Sequence, residues 1–192
     1  MNWGNLNDIC DEHQLVLLDT SSLRFHVSDE EAENYSERQL NHLHIEYAKF
    51  IRNALKNNKN LKTIPAVIDE ISCGLGNKNF KGNNIKLYKD ACREIFWSLK
   101  DRVVEEPEYY ADAVKIVNNI KNGYKLSMAD CDLIALLISS VKKIACVSND
   151  FLLSYAAFEI GRPISSNFNL YYFNKDGFAK TDREYLIKNK KF

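Results

Sequence analysis

Gln14-Leu15-Val16-Leu17-Leu18-Asp19-Thr20-Ser21-Ser22 is the stretch on which the fold reading turns. A short continuous apolar run that ends in a polar turn reads as a buried strand. Working outward, Lys62-Thr63-Ile64-Pro65, Arg102-Val103-Val104, Lys143-Ile144-Ala145-Cys146-Val147 and the segment near Asn169–Phe173 read as further short strands. Between them run amphipathic or apolar stretches of helical length. These lie at about 36–58, from Pro65 to the stops at Gly74 and Gly76, and at about 85–99, 108–122, 128–141 and 151–160. Short buried strands alternating with helices predict a parallel sheet covered on both faces. The expected fold class is therefore α/β, a three-layer α/β/α arrangement with a central parallel five-stranded sheet. Asn174-Lys175-Asp176-Gly177 reads as a turn into a short return strand, a C-terminal hairpin extension.

The chain of 192 residues is expected to form a single domain over 1–192, with a core at about 14–173, a helical insertion at about 76–100 and an extension at about 174–192. Apolar residues make up 45% and charged residues 27%, a composition that excludes disorder and a coiled-coil rod. The longest apolar run, Leu133 to Ile138, is far short of the ~20 residues that span a bilayer. The start, Met1-Asn2-Trp3-Gly4 with Asp8, Asp11 and Glu12 soon after, does not read as a signal peptide. A cytoplasmic protein without a membrane partner is expected. Lys+Arg and Asp+Glu both total 26, so no overall basic charge points to a polyanion, and any such case must be local. Acids crowd residues 28–37, whereas residues 52–62 and 78–93 are rich in bases. The five cysteines include no C-x-x-C pair, which argues against a zinc ribbon or redox dithiol and for free thiols in a reducing compartment. His42 and His44, two apart on a helix, face different ways and do not make a metal site.

Ligands of an open parallel sheet gather beyond the carboxyl ends of its strands. Two predicted strands end there on a carboxylate turn, Leu18 into Asp19 and Val147 into Ser148-Asn149-Asp150. Two more acids stand in early helical turns, Glu70 in Ile64-Pro65-Ala66-Val67-Ile68-Asp69-Glu70 and Asp130 in Leu126-Ser127-Met128-Ala129-Asp130. Leu133, Ile134 and Leu137 follow Asp130 by three, four and seven residues, which puts Asp130 at the top of an apolar face, with Asp132 about 200° away. Each acid also has a plain structural role. Asp19 and Asp150 suit turns or N-caps, Ser127 and Asp130 have the spacing of a capping box, and Glu70 suits a surface position in an early helical turn. Four acids at one sheet edge, however, repel one another and must take up protons or a cation. An oxygen-only set suits Mg²⁺ or Mn²⁺.

The ordered set Leu17-Leu18-Asp19-Thr20-Ser21, Ile64 to Glu70, Leu126 to Asp130 and Cys146-Val147-Ser148-Asn149-Asp150 resembles the PIN domain, a family of metal-dependent nucleases. The resemblance spans about residues 14–173. It implies a five-stranded parallel sheet with helices on both faces, and an endoribonuclease that hydrolyses RNA phosphodiester bonds with Mg²⁺ or Mn²⁺. It gives Asp19, Glu70, Asp130 and Asp150 the metal-binding and catalytic positions, with Ser21 and Ser148 as supporting hydroxyls. The long segment at about 76–100 and the tail beyond Phe173 depart from the small toxin-like members.

Single-stranded RNA is the partner this implies. A regulatory protein of antitoxin type and a second copy of the chain are the protein partners considered. Lys78, Lys81, Lys86, Lys89 and Arg93, interleaved with Phe80 and Tyr88, are the candidate substrate contacts, against an ordinary solvated helix whose aromatics face the core. A non-catalytic RNA-binding scaffold on the same fold is the main competing class. A phosphatase of the haloacid dehalogenase type needs a second Asp where Ser21 stands. A response-regulator receiver needs a lysine after a late strand, where Val147 leads into Ser148.

Overall fold

The computed structural model describes residues 4–23, 25, 33–76, 85–104, 110–174 and 176–189, and for 74–76, 85–89, 91–92 and 121–122 it describes the backbone alone. The elements, in chain order, are α1 (Leu6–Glu12), β1 (Leu15–Leu18), a 3-10 turn (Thr20–Leu23), α2 (Glu37–Asn57), β2 (Leu61–Lys62), α3 (Pro65–Gly76), α4 (Ile85–Leu99), α5 (Tyr110–Tyr124), α6 (Met128–Ser139), β3 (Ile144–Val147), α7 (Phe151–Ala156) running into a π turn (Ala157–Gly161), β4 (Phe168–Asn174), β5 (Gly177–Lys180) and α8 (Arg183–Lys188).

The fold is α/β, with a five-stranded, mostly parallel central sheet in the order β2-β1-β3-β4-β5. β1 pairs in parallel with β2 on one side and β3 on the other, and β3 pairs in parallel with β4. Every residue of β1 and β3 is buried, so both faces of the sheet are covered, the condition under which apolar runs such as Leu15–Leu18 form strands at all. The chain leaves β1 through α2 to reach β2 on one side, then returns through α3–α6 to reach β3 on the other. That reversal makes the crevice beyond the carboxyl ends of β1 and β3 the topological switch point.

The expected fifth parallel strand at 102–104 is not formed. Val103 makes only an isolated parallel bridge to Thr63, because β2 ends at Lys62 and Pro65, which has no N–H, opens α3 three residues later. The fifth strand is instead β5, the antiparallel return strand, with Tyr171 opposite Lys180 and Phe173 opposite Phe178. Its turn requires Gly177, whose φ is +114° and whose added Cβ would stand 3.0 Å from Asn5 Oδ1. Asn5 accepts the Phe178 N–H at 2.7 Å and donates to the Phe178 carbonyl, so the approach to α1 covers the outer edge of β5. The expected C-terminal hairpin thus forms, and its return strand is the edge strand of the sheet.

Helix starts follow the local chemistry. Ser36 with Gln39, and Ser127 with Asp130, close reciprocal capping boxes. α6 departs from the expected one-sided stripe. Ala129, Cys131 and the whole run Leu133–Ile138 are buried, since α3, α5, α7 and β3 pack around it. Among the described residues, no helix is long and apolar enough to cross a membrane.

Candidate functional site

Asp19 is the residue around which the switch-point crevice is built. Its N–H donates to the Val147 carbonyl at 3.1 Å, which ties the end of β1 to the end of β3, and its side chain is only 4% exposed. The carboxylate is gripped from both neighbouring turns. Oδ1 accepts the Thr20 N–H at 2.6 Å, and Oδ2 accepts the Ser21 hydroxyl, the Ser21 N–H at 3.3 Å and the Ser148 hydroxyl at 2.8 Å. Ser21 Oγ lies 3.2 Å from Ser148 Oγ and accepts the Asn149 N–H at 2.8 Å, and Ser148 Oγ accepts the Asp150 N–H at 3.0 Å. From behind, Tyr47 on α2 donates its hydroxyl to the Ser22 carbonyl at 2.6 Å, which fixes the 20–23 turn against the core.

Asp150 and Asp130 reach the same edge from helix starts, and Glu70 from the second turn of α3. Asp150 is the N-cap of α7, with Oδ1 accepting the Leu153 N–H at 3.0 Å. Asp130 closes the α6 capping box, with Oδ2 accepting the Ser127 N–H at 2.8 Å. Glu70 on α3 links the group, accepting the Thr20 hydroxyl at 2.6 Å on Oε2 and the Ser127 hydroxyl at 3.3 Å on Oε1. The plain structural roles are therefore real: Asp130 and Asp150 both cap helices. Their second carboxylate oxygens have no hydrogen-bond donor among the described residues.

The electrostatics couple Asp130 to Asp19 and Asp150. Burial lifts the Asp19 carboxyl above its usual range, against the hydroxyls of Ser21 and Ser148 and the N–H groups of Ser21 and Thr20, which all favour the anion. Burial also lifts Asp130, and the charges of Asp150 and Asp19 lift it further, while its bonds to Ser127 oppose the rise. Beneath them the buried Cys146 thiol is raised by burial first, then by the charges of Asp19 and Asp130. Among the described residues, none of the four acids has a cationic hydrogen-bond or ion-pair partner. Nor do any three His, Cys, Asp or Glu side chains among those residues stand close enough together, as arranged, to hold a metal ion. The donor atoms on offer are carboxylate and hydroxyl oxygens, the set that hard divalent cations take.

Asp132, one residue past Cys131, turns to α5, where Tyr110 donates its hydroxyl to the Asp132 carbonyl at 3.2 Å. Of the candidate substrate contacts, Lys78 and Lys81 lie outside the described residues, and Lys86 and Lys89 are on α4 where only backbone is described. Arg93 is exposed on α4 and pairs with Asp90 at 3.3 Å. Three polar residues of the site were not singled out from sequence: Thr20, Ser127 as a partner of Glu70, and Asn149, whose Oδ1 accepts the Phe173 N–H at 2.7 Å. The polar run Thr20-Ser21-Ser22 after a buried strand was the available signal for the first.

No family model matches the sequence, and no curated protein matches it. Among solved structures, the chain is similar to PAE2754 from Pyrobaculum aerophilum, at 16% identity and a TM-score of 0.45, covering 73% of this chain and 84% of that one.

Proposed function

We propose that the chain is a PIN-type nuclease that hydrolyses phosphodiester bonds of single-stranded RNA with Mg²⁺ or Mn²⁺ held at Asp19, Glu70, Asp130 and Asp150. The observation that carries the reading is the accumulation of carboxylates at the β1/β3 switch point, with Asp19 4% exposed, Asp130 under the charges of Asp19 and Asp150, and no cationic side chain among the described residues to neutralise them. Such an arrangement costs stability unless something compensates the charge, and a divalent cation does so directly. The free oxygens of Asp130 and Asp150 supply donors, and the Ser21 and Ser148 hydroxyls hold the Asp19 carboxylate in one orientation. Thr20 and Ser127 do the same for Glu70. Bound there, such a cation supplies an acidified water as nucleophile and charge stabilisation for the leaving oxygen.

The test is cleavage of a mixed single-stranded RNA with Mn²⁺ and with chelator, beside calorimetric Mn²⁺ titration, for wild type and Asp19→Asn. Metal-dependent cleavage that the variant loses, together with weakened Mn²⁺ binding, is the expected result. Equal Mn²⁺ affinity in both proteins would remove the site assignment. The capping roles of Asp130 and Asp150 favour a second reading, a non-catalytic RNA-binding scaffold. RNA binding without cleavage under any divalent metal would select it.

A further inference from the structure

Helix α8 follows β5, and its start is specified: Asp182 Oδ1 accepts the Tyr185 N–H at 2.9 Å, which sets Tyr185 in the first turn. There its ring stacks on Tyr172 of β4, with centroids 3.9 Å apart and 21° between the planes. The sheet register says where that stack stands. Tyr171 is the partner of Val147, and its carbonyl accepts the Ser148 N–H at 2.9 Å, so Tyr172 lies level with Ser148, whose hydroxyl holds Asp19. α8 also packs on α7, the helix that Asp150 caps. The Tyr185 phenol is lifted by burial first, then by the neighbouring Tyr172 and by the Asp150 charge, so Asp150 lies within electrostatic reach of it.

Two further features set these rings apart from ordinary core aromatics. Tyr171, Phe173, Phe178 and Leu186, their neighbours on β4, β5 and α8, are buried, whereas Tyr172 and Tyr185 both remain partly exposed. Neither phenol hydroxyl has a hydrogen-bond partner among the described residues. A pair serving only to seat α8 would be served as well by two buried phenylalanines. A carboxylate site that holds a cation recognises the phosphodiester and is indifferent to the base. A flat aromatic surface beside it adds the complementary contact, and only an unpaired base can offer its face to it.

We infer that the stacked Tyr172 and Tyr185 rings form a base-binding wall beside Asp150, which takes an unpaired nucleobase of the single-stranded nucleic acid whose backbone the four-acid site engages. The inference rests on the nuclease reading and adds to it a contact made by this chain's own C-terminal segment. It selects single strands over duplexes, tolerates any base, and is independent of the basic residues on α4.

The experiment is photocrosslinking of a 5-iodouridine-substituted single-stranded RNA to wild-type protein, with the crosslinked peptide mapped by mass spectrometry, beside steady-state cleavage of the same RNA. The expected crosslinks fall on Tyr172 or Tyr185. Tyr185→Leu should raise KM about tenfold or more, the scale of one lost stacking contact, with kcat within about twofold. Tyr185→Phe should behave as wild type, as should Ile187→Ala, a change at a 63% exposed position on the same helix. Cleavage by wild type with crosslinks only elsewhere, or an unchanged KM in Tyr185→Leu, overturns the wall and leaves the nuclease standing. Neither cleavage nor crosslinking by wild type overturns both. Should Tyr185→Leu melt early, the wild-type crosslink map still decides.

Discussion

Asp19 accepts hydrogen bonds from Thr20, Ser21 and Ser148 and is nonetheless raised, because its burial outweighs those donors. Asp130 is raised by burial and by two neighbouring charges. The consequence for stability has a definite sign. An acid whose native pKa exceeds its unfolded value of about 3.9 makes the native state bind more protons between those two values, so stability falls as pH rises through that window. Asp130→Asn keeps an oxygen to accept the Ser127 N–H and removes the charge. In chelator it should melt above wild type at neutral pH, and the difference should vanish as pH falls below about 4. The same variant should lose metal-dependent RNA cleavage by about 100-fold or more, the scale on which one electrostatic group at a transition state is felt. Asp132→Asn, whose residue faces Tyr110, should retain most of it. Melts from about pH 3 to 8, across the carboxylate range, and cleavage assays on both variants decide. Coincident melting curves and intact cleavage in Asp130→Asn would leave Asp130 a helix cap only.

At the scale of elements, local chemistry was legible wherever one side chain settles a backbone question. Ser36 and Ser127 start α2 and α6 as their capping boxes require, and Asn174 and Gly177 pair across the hairpin turn. Short elements escaped, because α1 and α8 are too brief for a helical period to repeat. Leu133, Ile134 and Leu137 of α6 are buried as their spacing requires, but the rest of the run Leu133–Ile138 is buried too, so the stripe alone does not fix the helix's orientation, and Asp130 reaches the site from the first turn. Close approach between elements was not legible either. Gly161 ends the π turn where an added Cβ would stand 2.8 Å from Ile138 Cγ2 on α6 and from Phe168 Cε1 and Cζ on β4. Gly161→Ala should therefore overpack this junction and cost about 1–3 kcal/mol, lowering the melting temperature by about 2–4 °C per kcal/mol. A melt that coincides with wild type would mean the junction has room the packing does not show.

For the whole molecule, the thiols offer a probe that does not depend on function. Among the described residues, Cys10, Cys131 and Cys146 are buried and in no disulfide, whereas Cys73, also in none, is exposed. Burial, with the Asp11 charge adding, pushes the Cys10 thiol up to about 12, and Cys146 is also raised, so both are protonated as well as inaccessible at neutral pH. Cys73 should react with a thiol reagent in the native protein, while Cys10, Cys131 and Cys146 react only at the rate of global opening. Peptide mapping of labelled sites against time checks this. Fast native labelling of Cys146 would show that the β1/β3 core beneath the acids opens separately. Under denaturing, non-reducing conditions all five thiols should titrate.

The sequence by itself determined the α/β class, the two central strands and the starts of α2 and α6, because each depends on apolar runs or on chemistry within a few residues. The order β2-β1-β3-β4-β5 and the loss of 102–104 as a strand were decided only by the tertiary structure. The order of parallel strands depends on crossovers between segments distant in sequence, and residues 102–104 meet the β2 edge only at Thr63 because Pro65 ends that edge. The same holds for the site. Asp19 was visible as the end of a strand, but its Ser148 partner lies 129 residues away, and only the parallel register of β1 and β3 brings that hydroxyl to 2.8 Å.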